Sequence, residues 1–239
     1  MKMFLAFVIS SALVQQADFT PLPVSQVSHR PVVLGTTVHV SDTSSGSAFS
    51  DLVAVGLENH IPLGITLMDT PNSDICRVPL NLKQGTMTVA ELIHAIEEVA
   101  PGYQVQLQKG VLDVTPGQLP DSTTRFLEMK LAHFQSAPET HQDIGYDLWR
   151  PIFGILAPGA GTNSSHLTSL SAERVPAMDV RDETVESILN LIVDSGGGGV
   201  WVLRTSQLKT LSAETPMPYE IHGYTGDHGS IAANLTCSK

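Results

Sequence analysis

Residues 88–116, "TVAELIHAIEEVAPGYQVQLQKGVLDVTP", decide how the rest of the chain reads. Val89, Leu92, Ile93, Ile96 and Val99 recur at helical spacing and form one apolar stripe. Thr88 and Glu91 suit a capping box, in which each side chain satisfies an orphan amide at the helix start. Ala100-Pro101-Gly102 then stops the helix. "YQVQLQ" alternates strictly between apolar and polar residues, and "VLDVTP" follows after Lys109-Gly110. With those two residues as the turn, Leu107 faces Leu112 and Val105 faces Val114. Gln104, Gln106 and Gln108 then share the opposite face, and a slip of one residue would mix the faces.

Outward from this unit, "VPLNL" (78–82) alternates like a half-buried strand, with a turn at Gln84-Gly85-Thr86. Further upstream, "VVLGTTVHV" and "GITL" are strand candidates. "AFSDLVAVGLENH" places Phe49, Leu52, Val53 and Leu57 on one helical face. Downstream the pattern returns. Laying Thr88-Val89 on Thr184-Val185 brings Leu92, Ile93 and Ile96 onto Ile188, Leu189 and Ile192, and Val105 and Leu107 onto Trp201 and Leu203. "VPAMDV" (175–180) corresponds to "VPLNL", "RFLEMKLAHF" reads as a strand, and "DIGYDLWRPIFGIL" reads as a helix despite Pro151 and Gly154. The matched order points to duplication. The expected fold class is α+β: two tandem small modules of strand-helix-strand-helix-hairpin type, with helices packed on small mixed sheets. The expected boundaries are a signal peptide over 1–17, a flexible lead-in with a first strand over 18–46, and modules over 47–116 and 117–239, the second divergent and carrying the C-terminal tail.

"VPLNLKQG" followed by "TVAELIHAIEEVAPGYQVQLQKGVLDVTP" resembles the short N-terminal domain of secretins and TonB-dependent receptors, and "VRDETVESILNLIVDSGGGGVWVLR" looks like a divergent second copy. The resemblance covers residues 47–116 well and 125–204 loosely. It implies a periplasmic α+β domain that mediates protein contacts. It brings no catalytic residues, and no barrel or secretin body follows the two copies.

The start of the chain supports export. Lys2 precedes a short uncharged apolar run, Met3 to Val14, and small residues follow, with Ala17 or Ala12 as the cleavage point. The run is short for a membrane span, and no later run reaches that length, so none is expected after signal removal. The chain has 13 Lys and Arg against 24 Asp and Glu, a net charge of −11. With no basic cluster to neutralise phosphates, nucleic acid is excluded as a partner. Cys76 and Cys237 allow one internal disulfide in an oxidising compartment, or they never meet.

Several constellations suggest chemistry. Four glycines, Gly196 to Gly199, lie after a helix and before a strand, where the helix presents carbonyls and repels a phosphate. Asp194-Ser195-Gly196 reverses the strand-to-helix order of a nucleophile elbow. His94 stands among Glu91, Glu97 and Glu98, but the stripe turns all four toward solvent, and a zinc-protease helix would need a second histidine. In the tail, Glu220, His222, Asp227 and His228 have the residue types of a zinc or copper site, and a polar strand and turn is the alternative. Tyr103, Trp149 and Trp201 read as core or edge aromatics. No cofactor is expected. The balance favours an exported, non-enzymatic protein-interaction or assembly module of the bacterial envelope, linked to secretion or outer-membrane transport, with envelope proteins as partners. The alternatives are an exported hydrolase or metal-dependent enzyme using the tail histidines, and a periplasmic small-ligand-binding protein.

Overall fold

A computed structural model describes residues 31–41, 46–68, 74–158, 174–208, 217–223 and 237. The chain is α+β. The first half runs β1 (Thr37–Val40), α1 (Ala48–Glu58), β2 (Leu63–Leu67), β3 (Gly85–Thr88), α2 (Val89–Val99), β4 (Tyr103–Gln108) and β5 (Val111–Pro116). The second runs α3 (Asp121–Leu127), β6 (Lys130–Ser136), α4 (His141–Leu156), β7 (Met178–Thr184), α5 (Val185–Ser195), β8 (Gly199–Arg204) and β9 (Tyr219–Gly223).

Local sequence accounts for most of these elements. Thr88 caps α2 and exchanges hydrogen bonds with Glu91 in both directions, and Val89, Leu92 and Ile96 are buried. The backbone bond to Thr88, followed by the side-chain bond, holds the Glu91 carboxyl below its usual range. Phe49, Leu52, Val53 and Leu57 bury one face of α1, whose first turn is capped by Ser47. β4 and β5 pair with Leu107 opposite Leu112 and Val105 opposite Val114. Lys109 and Gly110 both take positive φ, 50° and 91°, as a two-residue hairpin turn of the twist-matched kind requires. In the second half, Thr184 caps α5 as Thr88 caps α2. The shift that lays Thr88 on Thr184 lays β4 on β8 end to end.

Three expectations need correcting. "VPLNL" is not a strand, because its backbone groups are committed to α1. The Val78 carbonyl accepts from Ala48 N at 2.6 Å, and Leu80 N donates to the Asp51 carboxylate at 2.9 Å. Asn81 then takes φ 48°, which ends any extended run. The strand is β3, at the place expected for a turn, and it runs straight into α2. "RFLEMKLAHF" divides: Arg125 to Leu127 close α3, burying Phe126 and Leu127, and β6 begins at Lys130. The counterpart strand β7 starts at Met178 and enters α5 with no turn, while Val175 makes an isolated bridge to Glu139. Pro151 and Gly154, by contrast, leave α4 a continuous helix of 16 residues, held down by buried Leu148, Trp149, Ile152 and Phe153.

The halves share one sheet. Its order is β4-β5-β2-β8-β9, with β2 parallel to both β5 and β8 and the outer pairs antiparallel. β1 with β3, and β6 with β7, form two separate ribbons. Alternate residues of the sheet feed two hydrophobic clusters, as the two-residue period of a strand dictates. Leu112, Val114, Val200 and Val202 join α1 and α2 in one. Val111, Trp201, Leu203, Tyr219 and Ile221 join α3, α4 and α5 in the other. Cys76 and Cys237 are bonded, with Cα atoms 5.6 Å apart, and both pack against the first cluster.

Candidate functional site

The glycine run joins α5 to β8. Gly196 is the C-cap and Gly199 is the first residue of the strand. Gly197 and Gly198 have φ of 84° and 99°, in the left-handed region where a side chain is strained. A β-carbon on Gly198 would also lie 2.7 Å from the His60 backbone. Gly196, Gly199 and Gly223 surround the ring of His141, the first residue of α4: a β-carbon on Gly196 or Gly223 would overlap the ring, and one on Gly199 would approach Nε2 to 3.1 Å. Each of the four glycines thus has a steric or conformational reason. His60 Nδ1 completes the turn at 2.9 Å from the Gly197 carbonyl.

His141 is buried, and its Nε2 has no hydrogen-bond partner among the described residues. Burial, then the neighbouring His222, push its pKa down to about 4, so the ring is neutral at pH 7. A neutral imidazole closed in by three glycines has the setting of a packing group.

The sequence candidates do not converge. The Ser195 hydroxyl donates to the Leu191 carbonyl one turn back along α5, a helix back-bond. His94, Glu91, Glu97 and Glu98 lie on the exposed face of α2. His222 sits on β9 with Nε2 3.4 Å from Glu220, whose carboxyl is held down first by that contact. Asp227 and His228 lie outside the described residues, as does the expected signal segment. Among the described residues no group of three His, Cys, Asp or Glu is placed to hold a metal ion, and no helix is long and apolar enough to cross a membrane.

The polar chemistry gathers elsewhere, where α5 lies over the sheet. Asp113 of β5, Gly64 of β2 and Trp201 of β8 stand side by side across three strands. Gly64 makes room for the indole, since a β-carbon there would come within 2.5 Å of Trp201 Cζ2. Trp201 Nε1 donates to Asn190 Oδ1 at 2.6 Å. An indole nitrogen only donates, so this bond orients the amide and turns Asn190 Nδ2 toward Asp113 Oδ2, at 3.3 Å. Asp113 Oδ1 is buried without a partner among the described residues. Burial, then the charge of Glu186, push the Asp113 pKa up to about 7, against the bond from Asn190. The Glu186 carboxyl is itself raised, by burial and then by Glu128. Asn190 and Glu186 face a cavity of about 390 Å³ between α5 and the tip of the β4–β5 hairpin.

Comparison with known proteins gave no match to a family model, to a curated protein or to a solved structure. Sequence reading missed the Trp201–Asn190–Asp113 chain. Its one signal was Asp113 on the polar face of a strand otherwise flanked by valine and leucine, a carboxylate that the shared sheet then buries.

Proposed function

We propose that this chain is an exported protein-interaction module of the bacterial envelope and that its partner adds a strand to β4. The carrying observation is the outer edge of β4. The hairpin turn makes Gln108–Val111 a hydrogen-bonded pair, so pairing alternates from there. Leu107 and Val105 fall at the other positions, and their amides and carbonyls point away from β5. Leu112, opposite Leu107, accordingly sends its N–H outward on its own side, to the Pro62 carbonyl at 2.9 Å. No described residue pairs with the backbone of Val105 or Leu107, and β4 ends the sheet. An open edge of this kind is a recurrent site of peptide recognition.

Export is supported by the charged, then apolar, then small-residue order of the first 17 residues and by the Cys76–Cys237 bond. A link to secretion or outer-membrane transport rests on the resemblance of residues 47–116 to the short N-terminal domain of secretins and TonB-dependent receptors.

Crosslinked capture from the envelope, compared across wild type, Leu107→Pro and Leu107→Ala, tests this reading. Proline removes the outward amide and is tolerated on an edge strand; alanine removes only the side chain. The partner is expected to be kept by alanine and lost with proline. A folded proline variant that retains the same partner overturns the proposal.

A further inference from the structure

The cavity between α5 and the β4–β5 tip has two kinds of wall. Val111, Val180, Ile188 and Leu191 give it apolar surface, and Leu191 is one of the few large hydrophobic side chains left exposed, at 38%. Glu183, Glu186 and Asp194 give it three carboxylates, against the single cation Lys109 in the lining. Glu186 is half-buried and makes no hydrogen bond or ion pair with a described residue. Behind it, Asn190 lines the cavity and donates on its far side to the buried Asp113, which is not itself in the lining. Glu186 thus stands half-desolvated beside an opening, with no cation paired to it among the described residues.

We propose that this cavity binds an ammonium or guanidinium group carried on an aliphatic stem. The stem packs on the valine, isoleucine and leucine walls, as lysine and arginine stems pack on apolar surface, and the charged head meets Glu186 and Glu183. An anion would face three carboxylates, and a purely apolar ligand would leave Glu186 desolvated and unpaired. The raised pKa of Glu186 agrees with this, because a cation at the site would relieve it. The same chemistry arises from a free amine or from a Lys or Arg side chain of a bound protein. The inference is independent of strand addition at β4.

The full chain is titrated with agmatine, with a blocked pentapeptide carrying a central arginine, and with the same peptide carrying citrulline, while the amide resonances of Ser187, Asn190 and Leu191 are followed. At least one cationic probe is expected to shift them saturably at millimolar concentration, more weakly as salt is added, and citrulline is expected to leave them in place. Glu186→Gln and the exposed Glu183→Gln should each weaken binding several-fold without lowering the melting temperature. Binding of agmatine and peptide alike assigns the site to free amines; binding of the peptide alone assigns it to a protein side chain. Absence of saturation by either cation, equal binding of citrulline, or undiminished binding by both variants overturns the proposal. Leu107→Pro should leave agmatine binding unchanged, which separates this outcome from failure of the β4 reading.

Discussion

Gly198 passes so close to His60 that a β-carbon on it would lie 2.7 Å from the His60 backbone. The corresponding turn of the first half has Gly102, around which nothing lies within 4 Å. Gly198→Ala combines a backbone clash with φ of 99° and should destabilise by about 2–4 kcal/mol. Gly102→Ala should stay within about 0.5 kcal/mol. Urea denaturation of the two variants beside wild type checks the contrast, and equal losses would contradict it.

Asp113 makes stability depend on pH in the direction opposite to most carboxylates. Its folded pKa of about 7 lies above the ordinary 3.8, so the folded state holds the proton more tightly. Stability from this group is full below 3.8 and is lost as pH rises through 7. Asp113→Asn keeps the shape and removes the charge. It should be more stable than wild type at pH 8 by upwards of about 1 kcal/mol, with the difference closing toward pH 4. Denaturation curves at both pH values measure this.

His141 acts on the acid side. Its folded pKa of about 4 lies below the ordinary 6.5, so the unfolded chain binds the proton more readily. The contribution is full above 6.5 and disappears as pH falls toward 4. The groups at its slot are His222 beside the ring, Glu220 next to His222, and Asp143 in the same first turn of α4. His141→Asn should start less stable at neutral pH, because it leaves part of the slot empty, and should lose the acid slope between those values. A parallel slope in both proteins would show that another group carries it.

Reduction should loosen the first hydrophobic cluster. The Cys76–Cys237 bond closes a loop with a sequence separation of 161. In the chain-entropy picture that is worth about 5 kcal/mol at most. A Cys76→Ser, Cys237→Ser double variant should show a lower urea midpoint than the oxidised wild type, and reducing agent should shift the wild type alone. An unchanged midpoint in both tests would show that the bond does not constrain the unfolded chain.

How much could be read in advance divides along sequence distance. Helix α2, its cap and the β4–β5 register were legible because their partners are close neighbours and each constraint excludes the alternative frame. Strand β3 was misplaced because the fate of "VPLNL" depends on Asp51, a residue of another helix, taking the Leu80 amide. The parallel pairing of β2 with β8 has no local signature, since "LGITL" and "GVWVLR" suit any buried strand. The glycine run was legible as a helix stop. The need for four glycines became visible only with His60, His141 and His222 in place around it. The Asp113 network depends on that same long-range pairing, which sets Trp201 over Gly64.

Central placement of β2 also governs the order in which the chain becomes safe from its own kind. All five of its residues are buried, and one of its edges is closed only by β8, which is synthesised far later. Without β8 that edge has no partner strand in the first half, and an unpaired apolar strand edge is a surface on which misassembly between copies begins. A fragment ending at Pro116 would lack β8 and leave that edge of β2 open, so the second half closes a sheet that the first half begins.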